Sequence, residues 1–225
     1  MNKMDKFFSA KKSGIFGMPK TRHVFEQEKL DVLKKLKECD KSKIGKVDSE
    51  IKDLIDFFNK TKDFYTTSSC SGRILLIELS EDNRKDKANW LLAEHEEVSF
   101  NDLIKSLKKY KSKKELWFKQ EPLILHVCAR TLEKAEKLMS LSIQSGFKKA
   151  SIIALSRRII VEIRGTDYIS ALIGKNGKIL VNDKYLKEIL SIANEKLGNN
   201  LERKDFLFKS LRNQFNSKNS ETIRL

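Results

Sequence analysis

Thr66-Thr67-Ser68-Ser69-Cys70-Ser71-Gly72-Arg73-Ile74-Leu75-Leu76-Ile77-Glu78-Leu79 is the stretch on which the fold turns, because a hydroxyl-rich segment runs straight into a short apolar one. Arg73 to Leu79, bounded by the turn-like Ser80-Glu81-Asp82-Asn83, reads as a core strand. The polar half then sits at the mouth of that strand. Its hydroxyls donate and accept, Gly72 allows a close backbone approach or positive φ, and Arg73 offers a planar fork to a carboxylate or phosphate. The plainer alternative is a loop capped by Ser and Thr, with Cys70 as a small core residue and Arg73 against a surface carboxylate. This segment alone leaves both open.

On the N-terminal side, helices are expected from about Arg22 to Cys39, with Phe25, Leu30, Leu33 and Leu36 on one face, and from about Ser49 to Asn59. On the C-terminal side a strand is expected from about Ala88 to Val98, then a helix capped by Ser99, strands at Glu115–Lys119 and Pro122–Ala129, and a helix capped by Thr131 and ended by Gly146. Ser151–Leu155 and Ile159–Arg164 read as a hairpin. Two further helices are expected, Asp183–Leu197 closed by Gly198 and Glu202–Phe215. Helices and hairpin-like strand pairs alternate, which predicts an α+β fold with a mixed, largely antiparallel sheet or a partly closed barrel and flanking helices. Residues 22–215 are expected to form one catalytic domain, between a flexible basic arm (1–21) and a short tail (216–225).

The 225 residues carry 46 Lys plus Arg against 31 Asp plus Glu, a net charge of +15 that favours polyanionic partners through steering and counterion release. The lysines cluster. Lys105 to Lys119 holds seven of them and a single acid, Glu115, interleaved with Tyr110, Trp117 and Phe118, so cations alternate with rings able to stack or to pack inward. Three scattered cysteines fit a reducing compartment and exclude a disulfide framework. With no secretory-type or membrane-spanning apolar segment, a cytoplasmic protein is expected, without a membrane role.

Among local motifs, Ile173-Gly174-Lys175-Asn176-Gly177-Lys178 has the GxxG spacing of a KH loop, but Ile179-Leu180-Val181 reads as a strand where that loop requires a helix. A basic turn is the expectation. His95 and His126 both fall on candidate strands, His126 sharing a face with Cys128, and too few companions exist for a metal site, so none is expected. There is no GxGxxG after an early strand and no GxxxxGK[ST] loop, which argues against a Rossmann-type nucleotide site.

Asp40-x-Ser42-Lys43-x-Gly45-x-Val47-Asp48, the Thr66–Arg73 run, Trp90 with His95, Phe118-Lys119-Gln120-Glu121-Pro122-Leu123-Ile124-Leu125-His126-Val127, Arg164, Ala193-Asn194-Glu195-Lys196 and Asn200-x-x-Arg203 together resemble the wybutosine-synthesising methyltransferase family. The resemblance spans about Arg22 to Phe215, with Thr66, Ile44 and Gln120 departing from the usual pattern. It implies methyl transfer from S-adenosyl-L-methionine to the N-4 nitrogen of a tricyclic wyosine precursor next to the anticodon of phenylalanine tRNA. Under that implication Ser69, Cys70 and His95 are the catalytic candidates, with His95 as proton acceptor. Ser68, Ser71, Gly72, Arg73, Trp90, His126 and Arg164 would hold the cofactor. Asp40, Ser42, Lys43, Lys46, Lys108, Lys109, Lys111 and Lys113 would bind the tRNA, the lysines at its phosphates. A monomer without a stable protein partner is expected. A non-catalytic basic RNA-binding protein, and thiol chemistry at Cys70, are the competing readings.

Overall fold

The computed structural model describes residues 22–37, 48–79 and 88–216. The basic arm, the Asp40–Val47 loop with Asp40, Ser42, Lys43 and Lys46, and the last nine residues lie outside them. The elements run α1 (Arg22–Lys37), a 3-10 turn (Ser49–Ile51), α2 (Lys52–Lys60), β1 (Phe64–Cys70), β2 (Arg73–Leu79), β3 (Asn89–Glu94), α3 (Phe100–Leu107), β4 (Glu115–Glu121), β5 (Ile124–Ala129), α4 (Leu132–Gln144), β6 (Ser151–Ala154), β7 (Ile159–Arg164), β8 (Ile169–Lys175), β9 (Lys178–Ile179) and α5 (Asp183–Asn216).

The strands form two sheets, β1-β5-β7-β6 and β3-β2-β4-β8-β9, and every described pairing is antiparallel. The α+β expectation holds, and there is no parallel Rossmann arrangement among the described strands. Each sheet buries one face against helices. Phe64, Leu125, Val127, Val161 and Ile163 of the four-stranded sheet pack with α2, α4 and the C-terminal half of α5. Ile74, Leu76, Phe118, Leu116 and Ile173 of the five-stranded sheet pack with α3 and the N-terminal half of α5. Helix starts follow the expected capping chemistry, Ser99 Oγ accepting from the Asp102 amide and Thr131 Oγ1 from that of Lys134.

Three expectations change. The hydroxyl run is not a loop before a strand: Thr66 to Cys70 is itself the end of β1, and only Ser71 and Gly72 separate it from β2. Strand β3 ends at Glu94, which leaves His95 just beyond it. The two C-terminal helices are one, because Gly198 continues the helix. Leu186, Ile189, Leu190 and Leu197 before it and Leu207 and Leu211 after it are each buried in a core, which outweighs the roughly 1 kcal/mol that a mid-helix glycine costs.

The chain passes between the two sheets at Ser71-Gly72, at Pro122-Leu123 and again between β7 and β8, and these crossings touch. A Cβ on Gly72, whose φ is +97°, would lie 3.0 Å from the Glu121 carbonyl oxygen and 3.1 Å from the Leu123 nitrogen. Gly165 donates its amide to the Leu123 carbonyl, and a Cβ there would collide with Asn200 and Pro122. These contacts form a tight seam between the sheets.

Candidate active site

Strand β1 departs from simple alternation. Tyr65 pairs with Cys128, Thr66 with Val127, and Ser68, not Thr67, with His126, so a bulge at Thr67 shifts the register by one residue. Without it Thr67 and Ser69 would share the face of Tyr65. With it Ser68 and Cys70 do, while Ser69 falls in the row of Leu125 and Ile163 on the other face. Asn59 holds the bulge by accepting the Thr66 amide at 2.9 Å and donating to its hydroxyl at 3.1 Å.

On the Ser68 face a polar relay crosses three strands. Ser68 Oγ lies 2.9 Å from His126 Nδ1, and His126 Nε2 lies 2.9 Å from Glu162 Oε2. A carboxylate only accepts, so Nε2 carries a proton, and in the neutral ring Nδ1 presents its lone pair to the Ser68 hydroxyl. The next row toward the seam is Cys70, Ile124 and Arg164, the arginine exposed. The row on the other side, Tyr65, Cys128 and Ile160, is closed off by α1. There Phe25 packs edge-on to Tyr65 at 5.1 Å and Lys29 Nζ caps the Phe64 carbonyl at 2.9 Å. Burial pushes the Tyr65 and Cys128 pKa values up, which keeps both neutral.

A second histidine closes the seam. Asp48 Oδ2 accepts from the Ser71 amide at 2.7 Å and its hydroxyl at 3.0 Å, which pins the chain between the sheets. His95 Nδ1 sits 2.7 Å from the Gly72 carbonyl, 3.2 Å from Ser71 Oγ, 3.3 Å from Asp48 Oδ2 and 4.0 Å from Cys70 Sγ. The carbonyl only accepts, so Nδ1 carries a proton and donates it. The Cys70 thiol contributes most to stabilising the charged ring and burial opposes it. The Asp48 carboxylate and the Gly72 carbonyl add to the thiol's effect, and together they raise the pKa of His95 to about 9. His95 is therefore an imidazolium at neutral pH. Asp48, Cys70 and His95 also offer three ligand atoms within 4.8 Å of one another. Two of the three are already engaged, Asp48 Oδ2 by the Ser71 amide and hydroxyl and His95 Nδ1 by the Gly72 carbonyl.

Across the seam Arg73 is fully engaged on one edge. Its Nε and Nη2 donate to Glu121 Oε2 at 2.8 and 2.7 Å, and its guanidinium stacks 4.7 Å above Trp90. Trp90, itself 41% exposed, borders an open groove of about 260 Å³ on the outer face of the five-stranded sheet. Leu75, Ile77, Leu79, Trp117, Lys119, Glu121 and Ser170 supply the rest of its wall.

Of the residues singled out in the sequence, Ser68, Cys70, Ser71, Gly72, His95, His126 and Arg164 converge at or beside the seam, with Arg73 and Trp90 on its far side. Ser69 turns away. Asp48, Glu121 and Glu162 complete the geometry: Asp48 and Glu121 lie within the family-like motifs without being singled out as site residues, and Glu162 carries no sequence signal, since an acid paired across strands lacks a local spacing rule. Asn194 and Arg203, part of the family-like pattern, are structural: Asn194 exchanges two hydrogen bonds with the Val98 backbone, and Arg203 pairs with Asp167.

The family model described as Methyltransferase TYW3 matches residues 27–213. The chain belongs to the TYW3 methyltransferase family. Among curated relatives of this TYW3 chain, a Pyrococcus abyssi protein named tRNA(Phe) 7-((3-amino-3-carboxypropyl)-4-demethylwyosine(37)-N(4))-methyltransferase 2 is 42% identical over 168 residues, 75% of this chain and 81% of its own. The corresponding methyltransferase 1 of Pyrococcus furiosus is 43% identical over 151 residues, 67% of this chain and 76% of its own. The solved structure of the PH1069 protein from Pyrococcus horikoshii superposes with a TM-score of 0.78 at 38% identity, covering 84% of this chain and 96% of that one. None of the described helices is long and apolar enough to cross a membrane.

Proposed function

We propose that this TYW3 chain methylates the N-4 nitrogen of the wyosine precursor in phenylalanine tRNA, with S-adenosyl-L-methionine as donor. The observation that carries the reading is the pairing, at the seam of a methyltransferase-family chain, of a proton-accepting relay with a cationic histidine. When bound, the donor supplies an electrophilic methyl on a sulfonium, whose S–C bond breaks as the N–C bond forms. The residues present suit such a group: Arg164 and the His95 imidazolium would hold a carboxylate, and Trp90 with the adjoining groove would take a ring system. Arg73, already spent on Glu121, positions Trp90.

The displaced N–H proton needs an acceptor. His126 has its lone pair toward Ser68 and its far nitrogen tied to Glu162, so proton uptake at Ser68 Oγ moves a proton to His126 Nδ1 and leaves the imidazolium beside a carboxylate. We therefore assign the acceptor role to His126 and not to His95, which is already protonated at neutral pH. Cys70, on the same face as Ser68, is a positioning group.

The test incubates precursor tRNA with protein and S-adenosyl-L-methionine and follows the modified nucleoside by mass spectrometry. Gain of one methyl group supports the reading, and its absence with verified substrate overturns it. In the same assay His126→Asn is expected to lower kcat by about 10² or more, with Glu162→Gln showing a smaller loss and a shifted pH profile. Binding of S-adenosyl-L-methionine by calorimetry separates this reading from a purely RNA-binding protein.

A further inference from the structure

The turn that resembles a KH loop in sequence does something different in the fold. Asn176 and Gly177, with φ of +54° and +72°, are the central residues of the tight β8–β9 hairpin, in which Lys175 pairs with Lys178. This turn lies against the loop that follows α3. A Cβ on Gly177 would meet the backbone carbonyls of Lys111 and Ser112 at 3.6 and 3.7 Å.

One side chain fastens the two together. Tyr110 is buried, its hydroxyl donates to the Lys114 carbonyl at 2.5 Å and accepts from the Gly177 amide at 3.3 Å. Its ring rests on Gly174, where any Cβ would come within 2.9 Å of it. Two lysine-rich segments 64 residues apart in number, at Lys111 and Lys175, thus become one rigid knob. Lys108, Lys109, Lys111, Lys113, Lys175 and Lys178 are all exposed on it. The acid at its base, Glu115, is paired with Lys175 at 3.0 Å and accepts from the Trp117 indole, so it neutralises one lysine of the six.

We propose that this knob is a clamp for the sugar-phosphate backbone of the substrate RNA, distinct from the groups that hold the reacting base. The inference deepens the proposed function and rests on it for the identity of the RNA. The knob stands at the Glu115 end of β4 and the seam at the Glu121 end, six residues or about 20 Å apart along the strand. Such a span exceeds one nucleotide, so the clamp grips RNA away from the modified base. Lysine point charges on a fixed backbone read phosphate spacing and not sequence.

The test compares the double variants Lys111→Glu/Lys178→Glu and Lys148→Glu/Lys149→Glu, which alter charge equally at the knob and at another exposed site. Fluorescence anisotropy with a tRNA(Phe) transcript, across a salt series, is the readout. The knob variant is expected to bind about tenfold or more weakly with a shallower salt slope, and the other to bind nearly as the unaltered protein does. Tyr110→Phe, with no change of charge, is expected to weaken binding a few-fold by freeing the two segments. Equal weakening by both double variants, or none by the first, overturns the clamp. A knob variant that still methylates at saturating tRNA with unchanged kcat leaves the proposed chemistry standing. Failure of the unaltered protein to methylate, with the anisotropy difference intact, removes the chemistry and keeps the clamp.

Discussion

Gly72 and His95 show how little freedom the seam allows a single residue. At Gly72 a methyl group would meet two backbone atoms in a conformation that L residues avoid, so Gly72→Ala is expected to cost about 2–4 kcal/mol, read as a lowered denaturant midpoint. His95 makes a pH-dependent contribution whose sign follows from its raised pKa. The folded state binds its proton more tightly than the unfolded state, where the value is near 6.5. The stabilisation is therefore complete below about pH 6.5 and is lost as pH rises through about 9. Urea titrations at pH 6 and pH 9.5 are expected to show the protein losing stability across that window, and His95→Asn to lose much less. A difference of equal size in both proteins would move the effect to other groups. Glu162, by contrast, acts through His126, and its replacement is expected to alter the rate profile with little effect on stability.

Among the elements, β1 and α5 separate what sequence reveals from what it hides. The strand at Arg73–Leu79, the Thr131 cap, the Gly146 stop and the β6–β7 hairpin were legible because each rests on a local rule of periodicity, capping or positive φ. The bulge at Thr67 has no such rule. It is held by Asn59 at the end of α2 and by pairing with β5, whose His126 lies 58 residues from Ser68, and it alone decides that Ser68 and not Thr67 meets His126. Deleting Thr67 removes the extra residue yet leaves Ser68 opposite His126 and Ser69 opposite Leu125, so methyl transfer is expected to survive at a reduced rate while far-UV circular dichroism stays close to that of the intact chain. Gly198 misleads for a related reason, since a glycine after an amphipathic stretch reads as a stop unless both flanking cores are known. No atom lies within 4 Å of a Cβ built there. Gly198→Ala is accordingly expected to stabilise by about 0.5–1 kcal/mol, seen as a rise of a few degrees in Tm.

For the whole molecule, composition pointed to a polyanionic partner, but only the fold converts a diffuse +15 into particular surfaces. The basic knob lies at one end of the five-stranded sheet and the seam at the other, with the relay beyond it on the four-stranded sheet, so an RNA occupying both knob and relay must cross the five-stranded sheet. Binding of tRNA is expected to fall steeply between low and moderate salt, with a slope that reports the number of phosphates engaged. A flat response would detach the charge from RNA binding. Glu162 stayed hidden in the sequence because its partner His126 lies 36 residues away and meets it only when β5 and β7 pair.

The three chain crossings at the seam bear on how the molecule matures. Each sheet can collapse on its own helices, and the relay forms within the four-stranded one, yet Asp48 and His95 reach their partners only once the strands on either side of Ser71-Gly72 and Pro122-Leu123 have docked. Helix α5, shared by both cores, is synthesised after every described strand. A chain still growing on the ribosome therefore carries lysines able to attract RNA before it owns a site able to modify it, and competence arrives with α5.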